Sequence, residues 1–90
     1  GPMRIDVRME CAKPDAPVKT SVNGRAVDDA APLRAILGAE IANARRDGRE
    51  VLVVIEADAS VPWKNVIDVM DACKELKADK IELAEPPPKK

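Results

Sequence analysis

The sequence predicts an α+β fold: a small mixed β-sheet with two helices packed on one face. Three observations carry that expectation. Period-two alternation near the N-terminus marks a strand, two separate stretches repeat apolar residues at helical spacing, and a run of five apolar residues lies between them. The order reads strand, hairpin, helix, strand, helix, strand. Because a strand-helix-strand unit recurs, part of the sheet is expected to be parallel.

Arg4 to Cys11 opens the chain's structured part. Ile5, Val7 and Met9 alternate with Arg4, Asp6, Arg8 and Glu10, so one face is apolar and the other charged. Ala12 to Pro17 carries two prolines and an Asp and reads as a loop. Val18 to Val27 reads as a hairpin turning at Asn23-Gly24, two residues that tolerate positive φ.

The first helix is expected over Asp29–Asp47. Asp29 can cap its free amides, Pro32 falls in the first turn, and Leu33, Ile36, Leu37 and Ile41 form the core stripe. Arg45 and Arg46 suit its C-terminal end, and Gly48 can stop it in the left-handed conformation. Gly38 in mid-helix costs about 1 kcal/mol relative to Ala; close packing against a strand would explain it.

Val51–Ile55 is apolar throughout and too short for a helix, so it reads as an interior strand with little solvent on either face. Pro62 opens the second helix, expected to run to Ala78 with Ser60 or Val61 near the cap. Val66, Val69, Met70 and Cys73 share its inner face, flanked by Ile67 and Leu76. Lys80–Ala84 is a final short strand. Residues 85–90, Glu-Pro-Pro-Pro-Lys-Lys, form an extended tail, because proline cannot continue a ladder. Gly1-Pro2-Met3 reads as a cleavage scar with a cloning methionine, which leaves 4–84 as a single domain.

Composition narrows the function classes. Among 90 residues, 15 basic and 16 acidic side chains leave a net charge of -1, and Trp63 is the only aromatic residue. Nucleic-acid binding would need a basic surplus or stacking aromatics, so no nucleic-acid partner is expected. No apolar run of about 18 residues occurs that could span a bilayer. With no histidine and two distant cysteines, no metal site, no cofactor and no activated nucleophile are expected, and an enzyme is disfavoured.

The second half carries a resemblance. Val53-Val54-Ile55-Glu56-Ala57-Asp58, then Val61-Pro62-Trp63, Val66, Val69-Met70-Asp71-Ala72, Lys80-Ile81 and Leu83 resemble the periplasmic domain of the ExbD/TolR family of biopolymer transport proteins. Upstream, Val22-Asn23-Gly24 and Val27 with Leu33 and Leu37 look like that family's hairpin and first helix. Together these cover roughly Ile5 to Ala84. The resemblance implies a non-catalytic subunit of a proton-motive-force-driven inner-membrane motor, single-pass in the full-length protein with this domain in the periplasm. Its partners would be an ExbB/TolQ/MotA-like channel subunit, reached through a membrane helix outside this chain, and a TonB/TolA-like peptide or the peptidoglycan. The family's proton-carrying carboxylate lies in that membrane helix and matches no residue here. The family usually has Gly where Lys77 stands, so a positive φ there would cost about 1 kcal/mol.

Two readings stay open for several residues. Asp58 either bonds backbone amides in the turn after its strand or shapes a partner-binding surface. Trp63, next to Val61 and Pro62, either staples the helix entry or anchors an interface. Cys73 is either a buried thiol or, in the oxidising compartment that the resemblance implies, the partner of Cys11. Ile81 and Leu83 form the candidate strand of a weak homodimer. The alternative to the whole reading is a free-standing small ligand-binding module of the ferredoxin or ACT kind.

Overall fold

A computed structural model describes residues 1–27 and 30–85. Strand β1 (Met3–Glu10), β2 (Lys19–Val22) and β3 (Arg25–Val27) precede helix α1 (Ala30–Arg46). Strand β4 (Val51–Ala57), helix α2 (Trp63–Glu75) and strand β5 (Lys80–Ala84) complete the order. The five strands form one sheet in the order β3-β2-β1-β4-β5. The pairs β1–β2 and β2–β3 are antiparallel, while β1–β4 and β4–β5 are parallel. The sheet is therefore mixed, with two crossover helices, and the fold class is α+β.

Alternation in β1 decides which face carries the helices. Ile5, Val7 and Met9 pair in register with Val53, Ile55 and Ala57. With Leu37, Ile41, Ala44, Val66, Val69 and Cys73, those β1 residues, Val53 and Ile55 make one core cluster. Helix α1 lies over β2 and β3, and α2 lies over β4. Leu33 and Ile36 pack at the margin of that core. Val54, on the opposite sheet face, is also buried, in keeping with the continuous apolar run of β4.

Local signals act where expected. Asn23 and Gly24 both take positive φ, at 50° and 82°, as a tight turn between β2 and β3 requires. The Asn23 side chain accepts the Asp6 N–H at 2.8 Å, and its own N–H donates to the Asp6 carbonyl at 2.8 Å. Gly48 ends α1 at φ 67°, with the Arg49 N–H donating to the Ala44 carbonyl. The same closure ends α2, where the Ala78 N–H donates to the Cys73 carbonyl and Lys77 sits at φ 65°. Lys77 thus holds the glycine conformation with a full side chain.

Several details differ from the sequence expectation. Strand β1 starts at Met3, which pairs with Val51, so the third residue is part of the sheet. Strand β4 continues past Ile55 to Ala57 because β1 extends alongside it to Met9. Helix α2 starts at Trp63 with Pro62 in the cap position, not Ser60 or Val61, and ends at Glu75. No side chain caps it. Gly38 faces helix α2 rather than a strand: a Cβ there would meet Leu76 Cδ2 at 3.6 Å, an ordinary contact. The expected Asp29 cap lies outside the described residues, as does 86–90 of the tail. Cys11 and Cys73 are free, buried thiols. Burial pushes the Cys73 thiol up to about 11, so it stays protonated at neutral pH.

Candidate functional site

The site grows from the C-terminal end of β4. Beyond Ala57 the chain reaches Asp58, whose N–H donates to the Met9 carbonyl at 3.0 Å. Its carboxylate accepts the Cys11 N–H at 3.2 Å and lies 3.5 Å from the Arg8 guanidinium. Its carbonyl accepts the Val61 N–H at 3.0 Å. Asp58 therefore joins the ends of β1 and β4 and fixes the turn that follows. A carboxylate only 6% exposed needs such partners, since burying a charge without them is costly.

That turn aims the next three residues. Val61 drops into the core. Pro62, at φ -57°, starts α2 and leaves the Asn65 N–H to close on its carbonyl at 2.9 Å. Trp63 then emerges on the first turn of α2 with 61% of its surface exposed. Leu83, the register partner of Ile55, is 50% exposed on the neighbouring strand. Between them lies a cavity of about 240 Å³ lined by Ile55, Asp58, Val61, Trp63, Val66 and Leu83, among others.

The strand beside this groove is an edge. The Met3 N–H donates to the Glu50 carbonyl and the Asp58 N–H to the Met9 carbonyl, so odd residues of β4 face β5. The register of Leu52 with Lys80 and Val53 with Ile81 turns the backbone groups of 80, 82 and 84 toward β4. Alternation then points those of Ile81 and Leu83 outward. Five residues of β5 thus offer an open ladder beside two exposed apolar side chains.

The uncovered sheet face has the opposite character. Arg4 pairs with Asp6 at 2.7 Å, and Arg8 with Glu10 at 2.9 Å and Glu56 at 3.2 Å. The hydrogen bond to Glu10 holds the Arg8 guanidinium above its ordinary pKa. Exposed pairs of this kind add little stability, but they cover Val54 with matched charge. A second opening, of about 440 Å³, lies beyond Asp58, beside Cys11, Ala16, Pro17 and Lys19. There the Cys11 thiol donates to the carbonyls of Lys13 at 2.9 Å and Ala16 at 3.3 Å, which pins the loop after β1.

Four of the five residues singled out in the sequence, Asp58, Val61, Trp63 and Leu83, therefore line one groove. Ile81 shares the helix face of β5 but packs at the core margin instead. The floor residues Ile55 and Val66 were legible only as core. Arg8 was not legible as a partner of Asp58, because nothing local says that β4 pairs with β1. Among the described residues no three His, Cys, Asp or Glu side chains cluster to hold a metal. None of the helices there is long and apolar enough to cross a membrane.

A strand ending in Asp58, a Pro62-Trp63 helix entry and a parallel closing strand form the framework that the sequence motif implies. The family model described as Biopolymer transport protein ExbD/TolR matches residues 4–87. The chain belongs to the ExbD/TolR family. Comparison with curated proteins finds no match. ExbD/TolR membership ties the chain to a biopolymer-transport energy-transducing system. The family is a non-catalytic transport accessory family, generally anchored in the inner membrane and associated with ExbB/TolQ and TonB/TolA systems. That membership separates the chain from the ferredoxin-like or ACT-like alternative.

Proposed function

We propose that this domain is the periplasmic, partner-gripping part of an ExbD/TolR-like subunit in a proton-motive-force-driven inner-membrane motor. It is not an enzyme. It takes an extended TonB/TolA-like peptide as an added strand along β5 and passes on motion generated at an ExbB/TolQ-like channel. The observation that carries this reading is the exposure of Trp63 and Leu83 beside an unpaired strand edge. Backbone hydrogen bonds to Ile81 and Leu83 would supply affinity, and the groove would supply selectivity. A large aromatic held at a groove mouth is the usual anchor of such a contact. Motion reaches the site through Asp58, which ties the groove to β1 and β4 in the middle of the sheet.

The test is a titration of the isotopically labelled domain with a periplasmic peptide from a TonB/TolA-like partner. Backbone shifts should concentrate at 80–84 and at the Trp63 indole. Trp63→Ala should weaken binding about tenfold or more. Shifts confined to the charged sheet face, or a response to peptidoglycan fragments alone, would move the grip elsewhere.

A further inference from the structure

The register of β5 specifies more than a docking edge. We infer that the strand it accepts carries a fixed pattern: an acidic residue opposite Lys80, an apolar one opposite Ile81, a basic one opposite Glu82, and a large apolar one opposite Leu83. This rests on the docking reading above and names the chemistry of the occupant.

The argument starts from the two faces of β5. Ile81 and Leu83 pair with Val53 and Ile55, so their side chains share the helix face. Lys80 and Glu82 pair with Leu52 and Val54, so theirs share the open face. An added strand continues the sheet, and its residues alternate in step with β5. The position opposite Leu83 places its side chain over the groove of about 240 Å³ beside Trp63. Only a large apolar group fills that space and covers both exposed side chains. The position opposite Ile81 meets the partly buried margin of the core.

Charge sets the other two positions. Lys80 and Glu82 are both exposed, and neither joins an ion pair among the described residues. The open face elsewhere is already matched: Arg4 serves Asp6, and Arg8 serves Glu10 and Glu56. Lys80 and Glu82 extend that alternation to the edge; Arg4 feels the Glu82 carboxylate from within the sheet, and a next strand would supply the partners directly opposite. Opposite charges directly across a ladder favour pairing and like charges oppose it.

A second copy of this chain fits less well. Antiparallel β5–β5 pairing centred on Ile81 would match Lys80 with Glu82 twice. It would also set Asp79 opposite Leu83. The Asp79 carboxylate accepts the Val51 N–H at 2.7 Å and pairs with Arg45 at 3.3 Å, so it cannot fill the groove. Centring on Glu82 sets Glu82 against Glu82. A separate peptide satisfies all four positions; a second copy satisfies three.

Trp63 is the chain's only tryptophan, so its emission reports the groove directly. The experiment compares peptides built on Leu-Lys-Val-Glu and on the reverse order, Glu-Val-Lys-Leu. For each order it adds a version with Lys and Glu exchanged and a version with Leu replaced by Ala. Backbone shifts are followed in parallel. In the order that binds, exchanging the charges should weaken affinity about fivefold at low salt, and about 1 M salt should erase the difference. Replacing Leu should cost about tenfold or more. The double variant Lys80→Glu, Glu82→Lys should reverse the charge preference. Equal affinity for exchanged peptides, with Trp63 and 80–84 still responding, overturns the pattern and leaves the docking edge standing. If neither these peptides nor a TonB/TolA-like peptide moves Trp63 or 80–84, both readings fall. A concentration-dependent shift at Ile81 that no peptide competes away assigns the edge to a second copy and overturns the inference.

Discussion

The two edges of the sheet are built to different rules. Strand β3 is three residues long, shows Arg25 and Ala26 to solvent, and has α1 packed over it. Strand β5 is five residues long, and α2 lies over its neighbour β4 rather than over β5 itself. Short, charged and covered edges resist adding another strand, whereas a longer edge with apolar side chains beside it invites one. The difference comes from where each crossover helix lands, not from strand composition. Ile55 and Leu83 make this plain: they are register partners on one face, yet one is buried and the other half exposed.

Proline substitutions on β5 probe that contrast most sharply. The backbone of Glu82 faces β4, so Glu82→Pro deletes a ladder hydrogen bond and strands the carbonyl of buried Val53. It should cost about 3 kcal/mol in chemical denaturation. The Leu83 backbone faces outward and its side chain is half exposed, so Leu83→Pro should cost about 1 kcal/mol or less, as edge prolines do when their N–H side faces solvent. It should nevertheless abolish peptide docking. Similar destabilisation by both variants would mean that β5 does not run with its odd residues outward.

The two helix ends give a second, smaller contrast. Gly48 and Lys77 occupy the same left-handed position in the same closing motif. Only glycine takes that conformation without a steric cost. Lys77→Gly should therefore raise stability by about 0.5–1 kcal/mol, partly offset by the freer unfolded chain, and Gly48→Ala should lower it by about 1 kcal/mol. Thermal unfolding midpoints moving in opposite directions would confirm the pair. A fall in both would show that Lys77 contributes contacts that outweigh its strain.

Much of this was legible because short-range patterns were strong. The alternation of Ile5, Val7 and Met9, the Asn23-Gly24 turn and the Leu33–Ile41 stripe each fix local geometry through a physical rule that needs no distant partner. Val61-Pro62-Trp63 marked a helix start and pointed to the site. What the sequence withheld was pairing. Nothing in β1 says that Arg8 will reach Glu56 and Asp58, residues about fifty positions away, or that the Asp58 carboxylate will serve the Cys11 amide across the sheet. The exposure of Leu83 was equally hidden, since KIELA reads alike whether or not a helix covers it. Asp79 gave no signal at all, because its role depends on three elements meeting at one point.

That meeting point yields the smallest expected effect, confined to acid. At the end of the sheet opposite the groove, Asp79 accepts the Val51 N–H at 2.7 Å and faces Arg45 at 3.3 Å. The Arg45 guanidinium also donates to the Lys77 carbonyl, so α1, β4 and the turn before β5 are joined there. The bond from Val51, with help from Arg45, holds the Asp79 carboxyl below its ordinary pKa. A depressed folded value means that the unfolded chain binds the proton first as pH falls. The resulting stability is complete above the unfolded value of about 3.9 and drains away as pH drops through it toward the folded value. Asp79→Asn should therefore be less stable than the parent at pH 6, while the two converge near pH 2. The β3 edge has no counterpart of this clasp among the described residues, so hydrogen exchange at Val51 and 80–81 should quicken in acid before exchange at 20–22 does. A variant that tracked the parent at every pH would show that the backbone closure at Ala78 alone holds the end of β5 in place.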